Sequence, residues 1–258
     1  MRVLLTGERG FIGSALKEEL NGHRVATLPI GQRLPTSVTL FPGMVFFNDA
    51  ILHLACDTLG GFSSNIAGTA ALVQEAREGA RFIFASTLTA QRPVDIYDQN
   101  KQLAEQIVLA RPDIHAVILR LGWVYGPGKP NKRTALNAIM RQALRGDDLE
   151  TYGNAFGIRD AVHLSDVVQA FVLALEAPPG VYDVGTSTGV SLVAAAQEVA
   201  RQTGVRCGVS PTATDIHHPI ALEQNWLPGW APTISLSDGI TQTLDWLRTT
   251  EPRKVAAA

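Results

Sequence analysis

Short apolar runs alternate with stripes of helical spacing through the first half of the chain. Val3-Leu4-Leu5 reads as a buried strand closed by Thr6-Gly7, and Phe11, Ile12, Ala15, Leu16 and Leu20 then fall on one helical face from Phe11 to Leu20. After the Asn21-Gly22 turn, Arg24 to Leu28 reads as a second strand. Residues 34–50 are irregular and carry Pro35 and Pro42, which leaves little room for a full helix before the buried strand Ala50 to Ala55. The spacing of Ala70, Val73 and Ala76 predicts a helix from Asn65 to Ala80. A strand from Arg81 to Ala85 ends at Ser86-Thr87, a helix runs from Tyr97 to Ala110, and Ala116 to Leu121 is again a strand.

Gly126-Pro127-Gly128-Lys129-Pro130 breaks this rhythm, and the alternation weakens beyond it. Helices follow at 134–145, from Ser165 to Leu175, and around Leu192, Ala195, Ala196 and Val199, with a short strand from Val181 to Val184. Trp226, Trp230 and Trp246 read as rings that close a small second core, and Glu251 onward as a frayed tail. Strands alternating with helices predict an α/β fold: a doubly wound parallel sheet covered on both faces, with a smaller C-terminal α/β portion. The border is expected near 125, with 1–125 and the stretch 160–177 in the first domain and 126–258 in the second.

At 258 residues, 46% hydrophobic and 18% charged, the chain has the composition of a globular protein with a full core. A formal net charge of −2 offers no footprint for nucleic acid or an anionic membrane. Cys56 and Cys207 imply no disulfide framework, and no metal site is expected; a metal role for His217-His218 ranks well behind a loop position. His53 and His163 read as satisfied core or cofactor-lining rings. The apolar start breaks at Thr6-Gly7, too soon for a signal peptide, and no stretch is long enough to span a bilayer, so a cytoplasmic location is expected.

Two stretches carry candidate chemistry. Gly7-Glu8-Arg9-Gly10-Phe11-Ile12-Gly13 joins a strand to a helix, which aims backbone N–H groups and a helix N-terminus at a phosphate. The first glycine would permit the turn, the second the approach of a pyrophosphate, and the third the packing of helix on strand. The spacing G-x-x-G-x-x-G departs from the usual dinucleotide fingerprint. The acid that holds the adenosine ribose would stand at the end of the second strand, where Pro29 is found. Arg9 and Arg33 could instead meet a 2′-phosphate, which tilts the cofactor toward NADP and leaves NAD open.

The second stretch follows a strand end. Tyr97 and Lys101 are four apart, hence neighbours on a helix, and the ammonium favours the phenolate of a tyrosine that exchanges a proton with a substrate hydroxyl. The Thr87 hydroxyl can hold the same substrate oxygen.

Taken in order, Thr6 to Gly13, His53-Leu54-Ala55, Asn65-Ile66-Ala67-Gly68-Thr69, Ser86-Thr87, Tyr97 to Lys101, Leu119-Arg120-Leu121, Tyr125-Gly126-Pro127-Gly128, Arg159 to His163, Asp166 and Leu227 to Trp230 resemble the extended short-chain dehydrogenase/reductases of the NAD-dependent epimerase/dehydratase family. The resemblance implies a Rossmann domain for NAD(P) and a smaller domain that grips a substrate, often a nucleotide sugar. Carried over by position, it makes Thr87, Tyr97 and Lys101 the catalytic set, with Asn65 orienting the lysine through water. It lines the cofactor with Leu54 and Ala55 and faces Arg159 to the substrate; Gly7, Arg9, Gly10, Phe11, Ile12, Gly13 and Ser86 complete the expected cofactor set, and Trp123 the substrate set. It also points to a homodimer through the helices at 65–80 and 97–110, which their faces leave open.

The departures shape the functional expectation. Only nine residues separate Thr87 from Tyr97, fewer than in the sugar-nucleotide epimerases this chain resembles. Leu88-Thr89 stands where dehydratases of the family carry an acidic pair, and Trp123 where epimerases often carry a substrate-binding asparagine. These features favour an NADP-preferring keto-sugar reductase with Tyr97 as general acid. A 4-epimerase with retained NAD and a catalytically silent dinucleotide sensor are the alternatives.

Overall fold

The computed structural model describes residues 1–27, 43–57, 63–129, 135–212 and 225–251; Pro29, Arg33 and His217-His218 lie outside the described residues. In chain order the elements are β1 (Arg2–Thr6), α1 (Phe11–Glu19), β2 (Arg24–Thr27), β3 (Ala50–His53), α2 (Gly68–Glu75), β4 (Arg81–Thr87), α3 (Ile96–Leu109) and β5 (His115–Leu121). They continue with β6 (Trp123–Tyr125), α4 (Ala135–Arg145), β7 (Leu149–Thr151), β8 (Ile158–His163), α5 (Leu164–Ala174), β9 (Gly180–Val184), β10 (Gly189–Ser191), α6 (Leu192–Thr203), β11 (Cys207–Val209) and α7 (Leu236–Thr250).

Contacts divide the chain into two interleaved units. The first holds Met1–Leu121, Val167–Val184 and Glu223–Ala231. Its sheet has the order β2-β1-β3-β4-β5-β9, and every pair is parallel. Parallel strands need both faces covered, which is why Ala50, Ile51, Leu52 and His53 are all buried without alternation. One face packs Leu4, Ile51, Phe82, Phe84 and Ile118 against Leu72, Val73 and Ala76 of the α2 region and Ala104 and Val108 of α3. Each fully buried phenylalanine there contributes about 1.5–3 kcal/mol. β1 lies between β2 and β3, so the strand order reverses at β1. Ligands of such Rossmann-like sheets bind beyond the carboxyl ends of the strands at that reversal.

α2 is shorter than its pattern. The expected helix from 65 to 80 is a π turn over Ser63–Ala67 followed by α2, and Ala76 already has extended backbone. Its stop is tertiary. Arg111 donates to the carbonyls of Val73 and Ala76 at 2.6 and 3.1 Å, satisfying groups that would otherwise have sought a further helical turn. Arg77 leaves the helix to pair with Asp49 at 2.9 Å. α3 starts one residue before its expected position because Asp95 caps it, accepting from the Asp98 N–H at 2.8 Å.

The second unit holds Gly122–Asp166, Gly185–Leu222 and Pro232–Ala258. It has a three-stranded sheet β10-β8-β6, antiparallel then parallel, and a parallel pair β11-β7. Helices α4, α6 and α7 enclose a core of Leu136, Met140, Ala195, Val199, Ile240, Leu244 and Leu247. The expected single tryptophan core is corrected here. Trp226 and Trp230 meet edge to face at 6.1 Å across the Leu227-Pro228-Gly229 turn in the first unit, whereas Trp246 packs on the core of the second. The Trp230 N–H closes that turn on the Leu227 carbonyl at 3.0 Å.

Candidate active site

β1 ends at Thr6, and Gly7 turns the chain with φ +79°, where a side chain is strained. A Cβ on Gly7 would stand 2.7 Å from the Ala55 nitrogen and the Leu54 carbonyl carbon, and one on Gly13 would stand 2.1 Å from the Gly7 oxygen. The turn therefore lies directly on the segment after β3, and Gly13 closes α1 onto the turn itself, where the sequence reading expected it to close the helix onto the strand. Gly10 differs from both. Its φ of −73° and ψ of 175° suit any residue, and it caps α1 with no side-chain hydrogen bond. With no side-chain cap, the first-turn N–H groups of α1, among them those of Phe11 and Ile12, take no hydrogen bond from Gly10 and stand at the positive end of the helix dipole. The residues present fit a pyrophosphate.

Arg9 is half-exposed, and its Nε lies 3.2 Å from the largely covered carboxylate of Glu8. The guanidinium assigned to a 2′-phosphate thus already has an anionic neighbour on the chain.

Behind the turn runs a buried polar chain. His53 Nδ1 lies 2.7 Å from Thr6 Oγ1, and Nε2 lies 2.9 Å from Thr69 Oγ1. Thr69 donates its only hydroxyl hydrogen to the Asn65 carbonyl at 2.6 Å, so Nε2 of His53 must be the donor and Nδ1 the acceptor. Burial, followed by the charge of Lys101, pushes the ring down to about 3. His53 is neutral throughout the working pH range and ties β1, β3 and the start of α2 together. The carboxamide of Asn65 accepts from the Asp57 N–H at 2.7 Å and donates to the Asp57 carbonyl at 2.9 Å. It clamps the segment that follows Leu54 and Ala55.

The carboxyl end of β4 and the first turn of α3 form a second corner. Lys101 is 3% exposed, donates to the Ala85 carbonyl at 2.6 Å, and holds its Nζ 5.8 Å from the centre of the Tyr97 ring and 4.7 Å from that of Phe84. Tyr97 and Lys101 are brought together as their spacing predicts. Tyr97 is half-buried, as is Thr87 at the end of β4.

Two features of this corner were not foreseen. Thr87 Oγ1 lies 2.9 Å from Thr89 Oγ1, and Thr89 donates to the buried Asp98 carboxylate at 2.5 Å. Ser86, assigned to the cofactor, gives its hydroxyl to Glu105 at 2.5 Å. Glu105 in turn receives the Arg120 guanidinium on both oxygens, at 2.7 to 3.3 Å. Asp98 and Glu105 were legible as α3 residues, but their partners come from β4, its following turn and β5.

In the second unit the two expected substrate residues meet. The Arg159 guanidinium carbon lies 5.6 Å from the centre of the Trp123 ring, and its NH groups donate to the carbonyls of Asn154 and Gly157. Burial pushes Arg159 below the usual arginine value. His163 departs from a satisfied core ring. It is 1% exposed, its Nδ1 accepts from the Ser165 N–H at 3.3 Å, and its Nε2 has no hydrogen-bond partner among the described residues. Among the described residues no group of three His, Cys, Asp or Glu side chains could hold a metal, and no helix is long and apolar enough to cross a membrane.

Residues 55–185, half of the chain, match the pattern of the NAD dependent epimerase/dehydratase family. The matched stretch contains Asn65, Thr87, Tyr97, Lys101, Trp123 and Arg159 and begins after the glycine turn. The dTDP-D-glucose 4,6-dehydratase of Mus musculus is 27% identical over 242 residues, covering 78% of this chain and 68% of the relative. The UDP-N-acetyl-alpha-D-glucosaminuronate decarboxylase of Bacillus cytotoxicus is 25% identical over 316 residues, with 97% and 98% of the two chains covered. Among solved structures, MoeE5 in complex with UDP-glucuronic acid and NAD superposes with a TM-score of 0.81 at 26% identity, covering 97% of this chain and all of that one. The UDP-glucose 4-epimerase of Thermotoga maritima, at 24% identity and a TM-score of 0.80, covers 97% and 100% and shares the fold.

Proposed function

The chain belongs to the NAD dependent epimerase/dehydratase family, and from that premise we propose that it moves a hydride between a nicotinamide dinucleotide and a hydroxyl- or keto-bearing carbon of a nucleotide-linked sugar. The observation that carries this reading is the Tyr97–Lys101 pair at the end of β4, with a buried ammonium 5.8 Å from the phenol ring. When bound, the dinucleotide supplies or accepts the hydride. The glycine turn would hold the pyrophosphate on the first-turn N–H groups of α1. Tyr97 gives its phenolic proton to a keto oxygen, or takes one from a carbinol, with the ammonium of Lys101 offering a positive charge beside it. Thr87 positions that oxygen, and Trp123 with Arg159 receives the nucleotide portion of the substrate. Positioned proton transfer of this kind is worth about 10²–10⁴ in rate.

Reduction of a 4-keto sugar is the specific form of this reading. Leu88 and Thr89 leave the turn after β4 without the acidic pair of a dehydratase, and Trp123 replaces an epimerase-type asparagine. NADP preference rests on Arg9, which would have to exchange Glu8 for a 2′-phosphate. A 4-epimerase with retained NAD is the second reading, supported by the NAD bound in MoeE5. A homodimer belongs to either reading, with Ile96, Leu103 and Leu109 exposed on α3.

The test uses purified protein with NADPH or NADH and a panel of 4-keto-6-deoxy sugar nucleotides, followed by coenzyme absorbance. Coenzyme oxidation supports the reductase. NAD that co-purifies, together with interconversion of UDP-glucose and UDP-galactose without added coenzyme, supports the epimerase. Neither activity with any sugar nucleotide overturns the proposal.

A further inference from the structure

The glycine turn carries one pair of opposite charges. Between Gly7 and Gly13 the only ionisable side chains are Glu8 and Arg9, next to each other in the chain. Their surroundings differ. The Arg9 side chain is 55% exposed and that of Glu8 only 12%, with Arg9 Nε 3.2 Å from a Glu8 carboxylate oxygen. The covered acid is the anchor, and the exposed guanidinium is the arm held to it. The first turn of α1 adds no acidic residue. Glu8 is thus the only acid in the turn or in the first turn of the helix, beside the positive end of the helix dipole.

NAD and NADP share a pyrophosphate, which meets backbone N–H groups, and differ by one phosphate on the adenosine ribose. An arginine that meets this 2′-phosphate favours NADP through a charge-assisted pair. Arg9 already has an anion at its Nε. A 2′-phosphate arriving there either displaces the Glu8 carboxylate, leaving a largely covered acid without its counter-ion, or shares one guanidinium with it, which brings two anions together. NAD meets neither penalty, because its ribose carries a neutral hydroxyl at that position. We propose that Glu8 is a specificity-determining residue: by holding Arg9 it lowers the affinity for NADP relative to NAD. The inference rests on the reading that the glycine turn takes the dinucleotide, and it deepens that reading by giving the choice of coenzyme to the pair instead of to Arg9 alone.

Removing the charge while keeping the shape tests it. The unsubstituted protein, Glu8→Gln, Arg9→Ala and the double variant are titrated with NAD and with NADP by calorimetry, with no sugar present, so that no turnover enters the reading. In Glu8→Gln the ratio of the NAD Kd to the NADP Kd should rise about fivefold, the effect of releasing one exposed ion pair. Glu8→Ala, which removes the charge together with its arm, should give the same rise. In the Arg9→Ala background the Glu8→Gln change should leave the ratio where it is, since no guanidinium is left to release.

An unchanged ratio in Glu8→Gln overturns the proposal. So does an equal rise with and without Arg9, which would make Glu8 a repelling charge that acts alone. A merely structural Glu8 would show itself as a lower melting temperature with both coenzymes weakened together, and that result also contradicts the proposal. Binding with an unmoved ratio sinks only the role of Glu8, whereas failure of the unsubstituted protein to bind either coenzyme sinks the dinucleotide reading and this inference together.

Discussion

The carboxyl ends of β1 and β4 are built from different materials. At β1 the site is backbone: Gly7 and Gly13 let main chain touch main chain, and Gly10 caps α1 without a side-chain hydrogen bond. At β4 it is side chains: a phenol, an ammonium, three hydroxyls and two buried carboxylates. The first corner can bind but has no proton to move. The second can move protons, and its machinery rests on charges that burial makes costly to leave unpaired. Substitutions at the two corners should therefore fail in different ways.

The largest effect is expected at Gly13. Gly13→Ala places a methyl 2.1 Å from the Gly7 oxygen and should cost about 3 kcal/mol or more, read as a large fall in melting temperature or loss of folded protein. Gly10→Ala, whose Cβ stands 3.2 Å from the same oxygen at an ordinary φ, should keep the fold and weaken coenzyme binding. Equal melting temperatures for the two variants would erase the distinction drawn here. Next comes Tyr97→Phe, which should lower turnover by about 10²–10⁴ with coenzyme affinity unchanged in a fluorescence titration. A parallel loss of coenzyme binding would make the ring structural.

His53 sharpens the contrast through pH. Its folded value, about 3, lies below its ordinary 6.5, so between these limits the unfolded chain binds a proton that the folded one refuses. Stability attributable to this ring is whole above pH 6.5 and falls as pH drops toward 3, by about 1.4 kcal/mol per unit in the middle of that window. Urea unfolding of His53→Gln between pH 4 and 7 should show a shallower slope than the unsubstituted protein; identical slopes would mean the ring is not held neutral. The smallest effect is expected at Arg9. Arg9→Ala should weaken NADP by a few fold more than NAD, and equal changes for the two coenzymes would leave Arg9 to Glu8 alone.

Much of this was legible in residue order. Buried strands at 50–53 and 81–87 announce themselves as apolar runs, and the Tyr97–Lys101 pairing follows from helical spacing. α7 was legible too: Leu236, Ile240, Leu244 and Leu247 fall at helical spacing behind the Ser235 cap, a signal that the reading of Trp246 as part of a tryptophan cluster passed over. What could not be read depends on partners distant in sequence. α2 stops because Arg111 reaches its last carbonyls across 35 residues or more. The strands β7, β10 and β11 are three residues each, too short to show a period. The Ser86 hydroxyl goes to Glu105 and that of Thr89 to Asp98, and a hydroxyl carries no mark in the sequence of the acceptor it will find.

The most direct test of the central claim is a crystal structure of the protein with NAD and UDP-glucose bound together. The account predicts the Tyr97 phenol oxygen within about 3 Å of a sugar hydroxyl whose carbon faces the nicotinamide ring. A phenol well outside that reach, with the sugar and coenzyme in contact, would contradict it.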